Sequence, residues 1–151
     1  EAELADRAIE KVVVFATHRD TIIALAKGLD AFGVRVIHGS VSTAQRQAAL
    51  DEFQEDKDVR VFIGQTVAAG TSITLHANGA CQNVVFVSAD WVPANKAQAV
   101  ARVHRKGQTG NVVARFLHLK ISTDEAVIRA LARKTRMISE AFEEDKIHHA
   151  A

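Results

Sequence analysis

Several features are scarce or absent in this sequence, and each shortage argues against a class of protein. Cys81 is the only cysteine among the 151 residues, so no disulfide can form within the chain, which suits a reducing compartment. No apolar run approaches the length of a membrane-spanning helix and no secretory signal is visible, so we expect an intracellular protein, in the cytoplasm or nucleus, with no membrane partner. The formal net charge is +1, which gives no overall basic field. The seven histidines show no metal-ligand spacing, and we expect no metal site in the chain.

The chain also lacks the phosphate-binding loop of a complete nucleotide hydrolase. No Gly-Lys dipeptide occurs in it, so there is no Walker A sequence. Asp90 follows an apolar run, where a Walker B acid would stand, but a Walker B acid needs a phosphate cradle nearby. We interpret Asp90 as a structural or coupling residue beside Trp91. The isolated chain is therefore expected to hydrolyse no ATP.

What the sequence does contain is an ordinary globular mixture, with 48% apolar and 25% charged residues, enough for one domain with a real core. Apolar runs alternate with amphipathic stretches, which predicts a parallel α/β sheet with helices on both faces. The predicted strands are residues 11–16, 34–37, 59–64, 83–87 and 111–119. The predicted helices are 22–29, ended by Gly33; 42–53, opened by a capping box at Ser42-Thr43-Ala44-Gln45; 93–104; and a last helix from a second capping box at 122–125 to beyond Met137.

Polar residues follow four of the predicted strands. They are Thr17-His18, His38-Gly39-Ser40, Gln65-Thr66 and Asp90. In parallel sheets, ligands bind beyond the carboxyl ends of the strands. We therefore expect one edge of the sheet to gather most of the candidate chemistry.

The helix that begins at Pro93, the only proline, carries a second set of polar groups. Nothing breaks this helix before His104, and it stops before Gly107, so Gln98, Arg102 and Arg105 fall at i, i+4 and i+7 on one face. Paired guanidiniums suit phosphates, which predicts an arginine-bearing phosphate site at one sheet edge. Spacing alone leaves open the alternative of a surface helix with two solvated arginines. A neighbouring apolar face is expected to pack on the core: Ala97, Val100, Ala101 and His104.

The same stretch resembles a known family. Gln98-Ala99, Arg102, His104-Arg105 and Gly107-Gln108 resemble motif VI of the Swi/Snf family of superfamily two helicase-like ATPases, and Asp90-Trp91-x-Pro93 resembles its lead-in. The resemblance runs from about Lys11 to Met137 and implies a C-terminal RecA-like lobe, a three-layer sandwich. The implied domains are a linker or expression remnant at 1–10, the lobe at 11–140 and a tail at 141–151. Gln108-Thr109 and the last helix resemble the annealing and fork-remodelling branch.

For the nucleotide, the resemblance implies two catalytic arginines, Arg102 and Arg105, acting on the γ-phosphate of ATP. ATP and its Mg²⁺ would be held mainly by an N-terminal lobe that is not in this chain. Gly70 would lie near the nucleotide, and Gln98 would make a neutral positioning contact. Ser72 stands in the same nucleotide-binding loop where the family usually has glycine, which puts the backbone approach to the nucleotide in doubt.

For nucleic acid, the resemblance implies contacts from three residues to the DNA backbone: Gly39, Ser40 and Thr66. The implied protein is a DNA-stimulated ATPase that moves along double-stranded DNA, with the N-terminal lobe of the same protein and the duplex as partners. The isolated chain is expected to be a monomer. Two alternatives stay open, a lobe of a strand-separating superfamily two helicase and a RecA-like module that binds nucleic acid or protein without hydrolysis.

Overall fold

The fold, taken from a computed structural model that describes residues 1–65, 73–87, 92–117 and 123–149, is an alternation of strands and helices. The strands are β1 (Lys11–Ala16), β2 (Val34–Ile37), β3 (Val61–Gln65), β4 (Cys81–Phe86) and β5 (Val113–Phe116). The helices are α1 (Ala2–Ala5), α2 (Arg19–Gly28), α3 (Thr43–Glu55), α4 (Pro93–Val103) and α5 (Thr123–His149). Among the described residues, none of the helices combines the length and the apolar character needed to cross a membrane.

The five strands form one sheet in the order β2-β3-β1-β4-β5, and every neighbouring pair is parallel. The central strand β1 is buried along its whole length, as its continuous apolar run predicts for a strand covered on both faces. The outer strand β5 is half-exposed. The predicted parallel α/β sheet is confirmed.

Two apolar clusters cover the two faces of the sheet, so the predicted three-layer arrangement is present. On one face, α3 and α4 bury Phe53 and Val103 against Phe62 and Phe86 of the strands. On the other face, α1 and α2 bury Leu4 and Ile22 against residues of β1 and β3. Stacking of Phe86 on Phe116, with ring centroids 5.0 Å apart, extends the first cluster to the edge strand β5.

The connection from α2 to β2 differs from the expected one. The helix ends at Gly28, one residue before its predicted end, and a 3-10 turn over Asp30–Phe32 separates it from Gly33. Gly33 then takes a left-handed φ of 65° and packs against the carbonyl of Asp58, where a side chain would collide. Gly33 therefore ends the turn that follows the helix, because tight contact with the chain before β3 requires a glycine there.

Residues 1–10 pack on the sheet. Leu4 and Ile9 are buried. The guanidinium of Arg60 donates to the carbonyls of Leu4 at 2.8 Å, Ile9 at 2.7 Å and Glu10 at 3.0 Å. One arginine thus fastens this segment to the start of β3. The domain boundary at residue 11 stays a prediction, as does the boundary at 141, across which α5 continues as a helix.

Candidate functional site

Three strand ends bring polar groups together at the carboxyl edge of the sheet. The side-chain amide of Gln65, the last residue of β3, donates to the carbonyl of Thr17 after β1 at 3.1 Å. Its Oε1 lies 4.0 Å from the point where a Cβ on Gly39 would stand, after β2. The Thr17 hydroxyl is buried and has no hydrogen-bond partner among the residues that the structure describes. The expected meeting of these residues at one edge is confirmed for Thr17, Gly39 and Gln65.

The turn before α3 exposes Gly39 and Ser40 at this edge. The Ser40 amide donates to Nδ1 of His38 at 3.2 Å, which holds the turn closed. The predicted capping box follows: the Gln45 amide donates to the Ser42 hydroxyl at 3.3 Å, and the Ser42 amide donates to Oε1 of Gln45 at 3.2 Å. The helix α3 therefore begins at this edge, with the positive end of its dipole beside the two exposed residues.

The helix α4 begins with Pro93 in its first turn, as predicted, but it ends earlier than predicted. Its last residue is Val103, and His104 leaves the helical conformation with φ −82° and ψ 78°. The expectation that Gln98, Arg102 and Arg105 share one helix face is therefore wrong for Arg105, which lies in the turn that follows. The position of the Arg105 Cα is therefore set by that turn and not by helical spacing from Arg102.

The side of α4 that packs on the core was predicted correctly only at Val100. Ala99 and Val103 are the buried residues and face the aromatic cluster of the sheet, and Val100 packs partly buried against the same cluster. The rest of the predicted stripe faces α5, an element that the spacing of α4 does not reveal. Ala97, Val100, Ala101 and His104 line a groove of about 480 Å³ that is shared with Leu131 of α5.

The end of α4 is joined to the segment Ile73–Leu75. The Leu75 amide donates to the Arg102 carbonyl at 2.8 Å. The guanidinium of Arg105 donates through Nη1 to the Ile73 carbonyl at 3.4 Å. Gln98 and Arg105 are exposed and Arg102 is half-buried. The Gln98 amide and the two guanidiniums thus lie along the second half of α4 and the turn after it, and the buried side of α4 is anchored in the core.

The arginines do not join the group at the carboxyl edge. The helix α4 has 11 residues, about 16 Å, and runs back along β4. Gln108, three residues beyond Arg105, donates to the carbonyl of Cys81, the first residue of β4, at 2.8 Å. The predicted arginine site therefore lies at the opposite edge of the sheet from Gly39 and Gln65, because the end of α4 lies beside the start of β4 and not beyond its end.

Neither group of residues resembles a metal centre. Within the described ranges, no cluster of three or more His, Cys, Asp or Glu residues could hold a metal ion. A groove of about 560 Å³ is lined mainly by apolar residues of α1, α2, β1 and β4, such as Leu4, Leu25 and Val85, and none of the polar groups described above lines it. The side chains of Gln98, Arg102 and Arg105 can offer a ligand amide and guanidinium groups, which suit a polyphosphate.

Comparison with known proteins connects this arrangement to a family. Residues 2–107 match the helicase conserved C-terminal domain. The chain is 32% identical over 133 residues to the SWI/SNF-related matrix-associated actin-dependent regulator of chromatin subfamily A-like protein 1 of Drosophila melanogaster, covering 86% of this chain and 17% of the relative. It is 33% identical over 129 residues to the human DNA annealing helicase and endonuclease ZRANB3, covering 84% of this chain and 12% of that protein.

A solved structure shows the same fold. The crystal structure of the C-terminal part of the Fun30 ATPase domain superposes with a TM-score of 0.77 and 31% identity, covering 85% of this chain and 41% of that one. The ATP-dependent helicase FUN30 of Saccharomyces cerevisiae is itself 32% identical over 139 residues, with 91% of this chain and 12% of FUN30 covered. The chain belongs to the helicase C-terminal domain family, in its Swi/Snf-related part. It has the RecA-like fold and spans between 12% and 17% of the length of the relatives named here.

The predicted site residues of this helicase C-terminal domain lie in two separate places. Gly39 and Ser40 lie at the carboxyl edge, and Gln98, Arg102 and Arg105 lie on and after α4. The predicted contributions of Thr66, Gly70 and Ser72 lie outside the described residues, as do those of Asp90 and Trp91. Sequence reasoning named Gln65 and Gln108 but did not predict their supporting roles, Gln65 at the carboxyl edge and Gln108 after α4. The Gly107-Gln108 pair in the motif was the signal for the second.

Proposed function

We propose that this domain is the C-terminal lobe of a DNA-stimulated ATPase that moves along double-stranded DNA. An N-terminal lobe of the same protein would hold most of the ATP and its Mg²⁺. The observation that carries the proposal is the exposed end of α4, where Arg102 and Arg105 are fastened to Ile73–Leu75 while Ala99 and Val103 anchor the helix in the core. Two arginines whose backbone is fixed and whose guanidiniums lie close together in the chain suit a phosphate site between two lobes.

In this proposal the arginines act on the charge that develops in the transition state. As the γ-phosphoryl group is transferred to water, negative charge spreads over its oxygens and the leaving oxygen. Guanidiniums that are already in place stabilise that charge without reorganising at the moment of reaction. Gln98, one turn before Arg102, adds a neutral hydrogen bond. This domain supplies the electrostatic half of the site, so turnover requires both lobes.

The carboxyl edge would bind the DNA backbone. Gly39 and Ser40 are exposed there, directly before the positive end of the α3 dipole. A serine hydroxyl beside the start of a helix can bind a phosphate without reading bases. DNA binding by the lobe alone is therefore weak, independent of sequence and strongly dependent on salt. Such a protein works inside the cell, and the isolated lobe would be a monomer.

The test is a steady-state measurement on the two-lobe protein. Arginine fingers contribute about 10³–10⁵ in rate in related phosphoryl-transfer enzymes, so Arg105→Lys and Arg102→Lys should lower kcat by factors of that order, with ATP affinity changed far less. Lysine substitutes poorly because a point charge lacks the planar fork. Gln98→Ala should cost less. Arg133→Lys, an exposed arginine on α5, is the matched control.

Near-normal rates in all three variants would contradict the proposal and favour solvated arginines on a binding module without hydrolysis. A strand-separation assay on the same protein distinguishes a helicase from a translocase that leaves the duplex paired. The lobe by itself should hydrolyse no ATP. Turnover by the purified lobe that survives substitution of Arg102 would place the whole active site within this chain.

A further inference from the structure

We infer that Gln108 is a positioning residue whose side-chain amide fixes the turn that presents Arg105. The inference deepens the proposed function and rests on the role of Arg105 in it. Gln108 lies after α4 and does not face the exposed side of the helix that carries Gln98 and Arg102. Its effect on the reaction would pass through the backbone that it holds.

The turn that contains Arg105 is a defined one. The backbone N–H of Gln108 donates to the Arg105 carbonyl at 2.9 Å, which closes a four-residue turn. Gly107, third in that turn, has φ 103°, and a type II turn requires a positive φ at this position. The Arg105 amide donates back to Val103 at 3.1 Å. The backbone of Arg105 is thus tied to the helix end on one side and to Gln108 on the other.

The Gln108 side chain makes hydrogen bonds with both ends of its amide. Nε2 donates to the Cys81 carbonyl at 2.8 Å and more weakly to the Val103 carbonyl at 3.4 Å. Oε1 accepts from the amides of Thr109 at 2.9 Å and Gly110 at 3.2 Å. Two donors and two acceptor positions are all that a glutamine side chain has. One half-buried amide therefore joins the end of α4, the start of β4 and the loop that follows.

A second turn packs against this one. The ring of His76 lies 3.0 Å from the point where a Cβ on Gly107 would stand. Nδ1 of His76 accepts from the Asn78 amide at 3.0 Å, which fixes the ring. Gly79, with φ 94°, packs against the side chain of Thr109 in the same way. The two turns interlock through their glycines, so the turn of Arg105 has little room to shift.

Fixing the backbone matters because the side chain of Arg105 is only lightly held. It is exposed, and its contact to the Ile73 carbonyl, at 3.4 Å, is long for a hydrogen bond. The position of its guanidinium therefore depends on where the turn places its Cα. A displacement of about 1 Å in a reacting group can cost about 100-fold in rate. Loss of the Gln108 amide would permit such a displacement without removing any group from the active site.

The two ends of the amide can be separated by substitution. In Gln108→Glu the carboxylate still accepts from Thr109 and Gly110, but it has no proton to donate to the carbonyl of Cys81. This variant cuts the tie to the sheet and leaves the loop contact. Gln108→Ala removes both. Gln47→Ala is the control, since Gln47 is an exposed glutamine on α3 whose amide, among the described residues, is hydrogen-bonded to Asp51 alone.

The experiment measures kcat and KM for ATP in the full-length, two-lobe protein with saturating DNA. We expect Gln108→Glu to lower kcat by about 100-fold with KM for ATP changed less than about threefold, because ground-state binding belongs to the other lobe. Gln108→Ala should lower kcat at least as much. In an Arg105→Ala background neither variant should lower kcat further, because a positioning residue has nothing left to position. The Gln47→Ala protein should match the wild type.

Each other result counts against the inference. An equal fall of kcat with and without Arg105 would mean that Gln108 acts through general stability. Unchanged kcat in the Gln108 variants, beside a deficient Arg105→Ala protein, would overturn the inference and leave the proposed function intact. A normal Arg105→Ala protein would overturn the proposed function itself. Melting curves and Gln108→Asn accompany the set, and failure of all three Gln108 variants to fold would assign the residue to the fold instead of to Arg105.

Discussion

The helices α3 and α4 cover the same face of the sheet, and each carries a candidate site at one end, but the two ends are held differently. The site end of α3 is its first turn, beside Gly39 and Ser40, and a capping box within the helix holds it. The site end of α4 is its last turn, with Arg102, and a residue outside the helix holds it by bonding to β4. One end depends on near neighbours in sequence, and the other depends on the fold.

This difference decides what happens when each support is lost. A local cap can fray without moving the rest of the domain, and such caps contribute about 1 kcal/mol. A support that joins distant elements carries buried hydrogen bonds, and leaving their partners unsatisfied costs more. We therefore expect substitution of a residue that joins distant elements to lower stability more than substitution of a local helix cap.

The largest effect on stability is predicted for Lys11, which supports the far end of α3. Lys11 is 3% exposed, and its Nζ donates to the carbonyls of Phe53 at 2.6 Å and Asp56 at 2.7 Å. Lys11→Met should lower the free energy of unfolding by about 3 kcal/mol, because it leaves two helix-end carbonyls without a charged donor. Urea titration measures the loss.

Lys57→Met is the control for this prediction, because Lys57 is exposed just beyond the same helix end and should change stability by less than about 0.5 kcal/mol. Burial lowers the pKa of Lys11, and the nearby Asp56 acts in the opposite direction. A loss for Lys11→Met as small as that for Lys57→Met would show that the buried amine costs as much to desolvate as its hydrogen bonds return. The contrast between the two kinds of support would then fail.

The same contrast explains how far the sequence could predict this protein. The strands follow from apolar runs and the start of α3 follows from Ser42 and Gln45, since these signals lie within four residues of the feature that they specify. The end of α4 depends on Gln108 contacting Cys81, 27 residues away, and Arg105 contacting Ile73, 32 residues away. No pattern within α4 carries that information, so the end of the helix was predicted wrongly and its buried face only in part correctly.

The candidate site divides in the same way. Parallel strands bring their carboxyl ends to one edge, so topology alone predicted that Thr17, Gly39 and Gln65 would meet. The importance of Arg102 and Arg105 came from the resemblance to a family, since spacing alone left solvated arginines open. Topology could not place the arginines either, because the position of a helix end relative to the sheet depends on the helix length and on the tertiary bonds that stop it.

The second prediction concerns Cys81, whose carbonyl accepts a hydrogen bond from Gln108, and it is tested by measuring stability at two pH values. Burial raises the pKa of the Cys81 thiol from its ordinary 9.0 to about 12, with a hydrogen bond to Asn83 and the charge of Lys11 opposing the rise. The folded thiol keeps its proton where the unfolded one loses it, so its contribution to stability is complete below pH 9 and is lost as the pH rises from 9 to 12. Between pH 8 and pH 10, the wild type should lose about 1.4 kcal/mol relative to Cys81→Ala.

Comparing the two proteins by urea titration under reducing conditions at both pH values removes from the difference the titrating groups that do not interact with the thiol, since both proteins contain them. A stability difference that is the same at pH 8 and pH 10 would mean that the thiol reaches solvent in the folded state. The start of β4 would then be too open to serve as the fixed point for Gln108.

The smallest effect is predicted for Ser42, the local cap at the site end of α3. Ser42→Ala removes the acceptor for the Gln45 amide and should lower the free energy of unfolding by about 1 kcal/mol. Thr43→Ala, at an exposed first-turn position without a capping role in the structure, is its control. Because fraying of this turn disturbs the residues beside Gly39 and Ser40, DNA binding at low salt should weaken slightly while kcat at saturating DNA stays normal. A loss for Ser42→Ala larger than that for Lys11→Met would reverse the ranking of local and tertiary supports, and a fall in kcat would mean that the two helix ends are coupled.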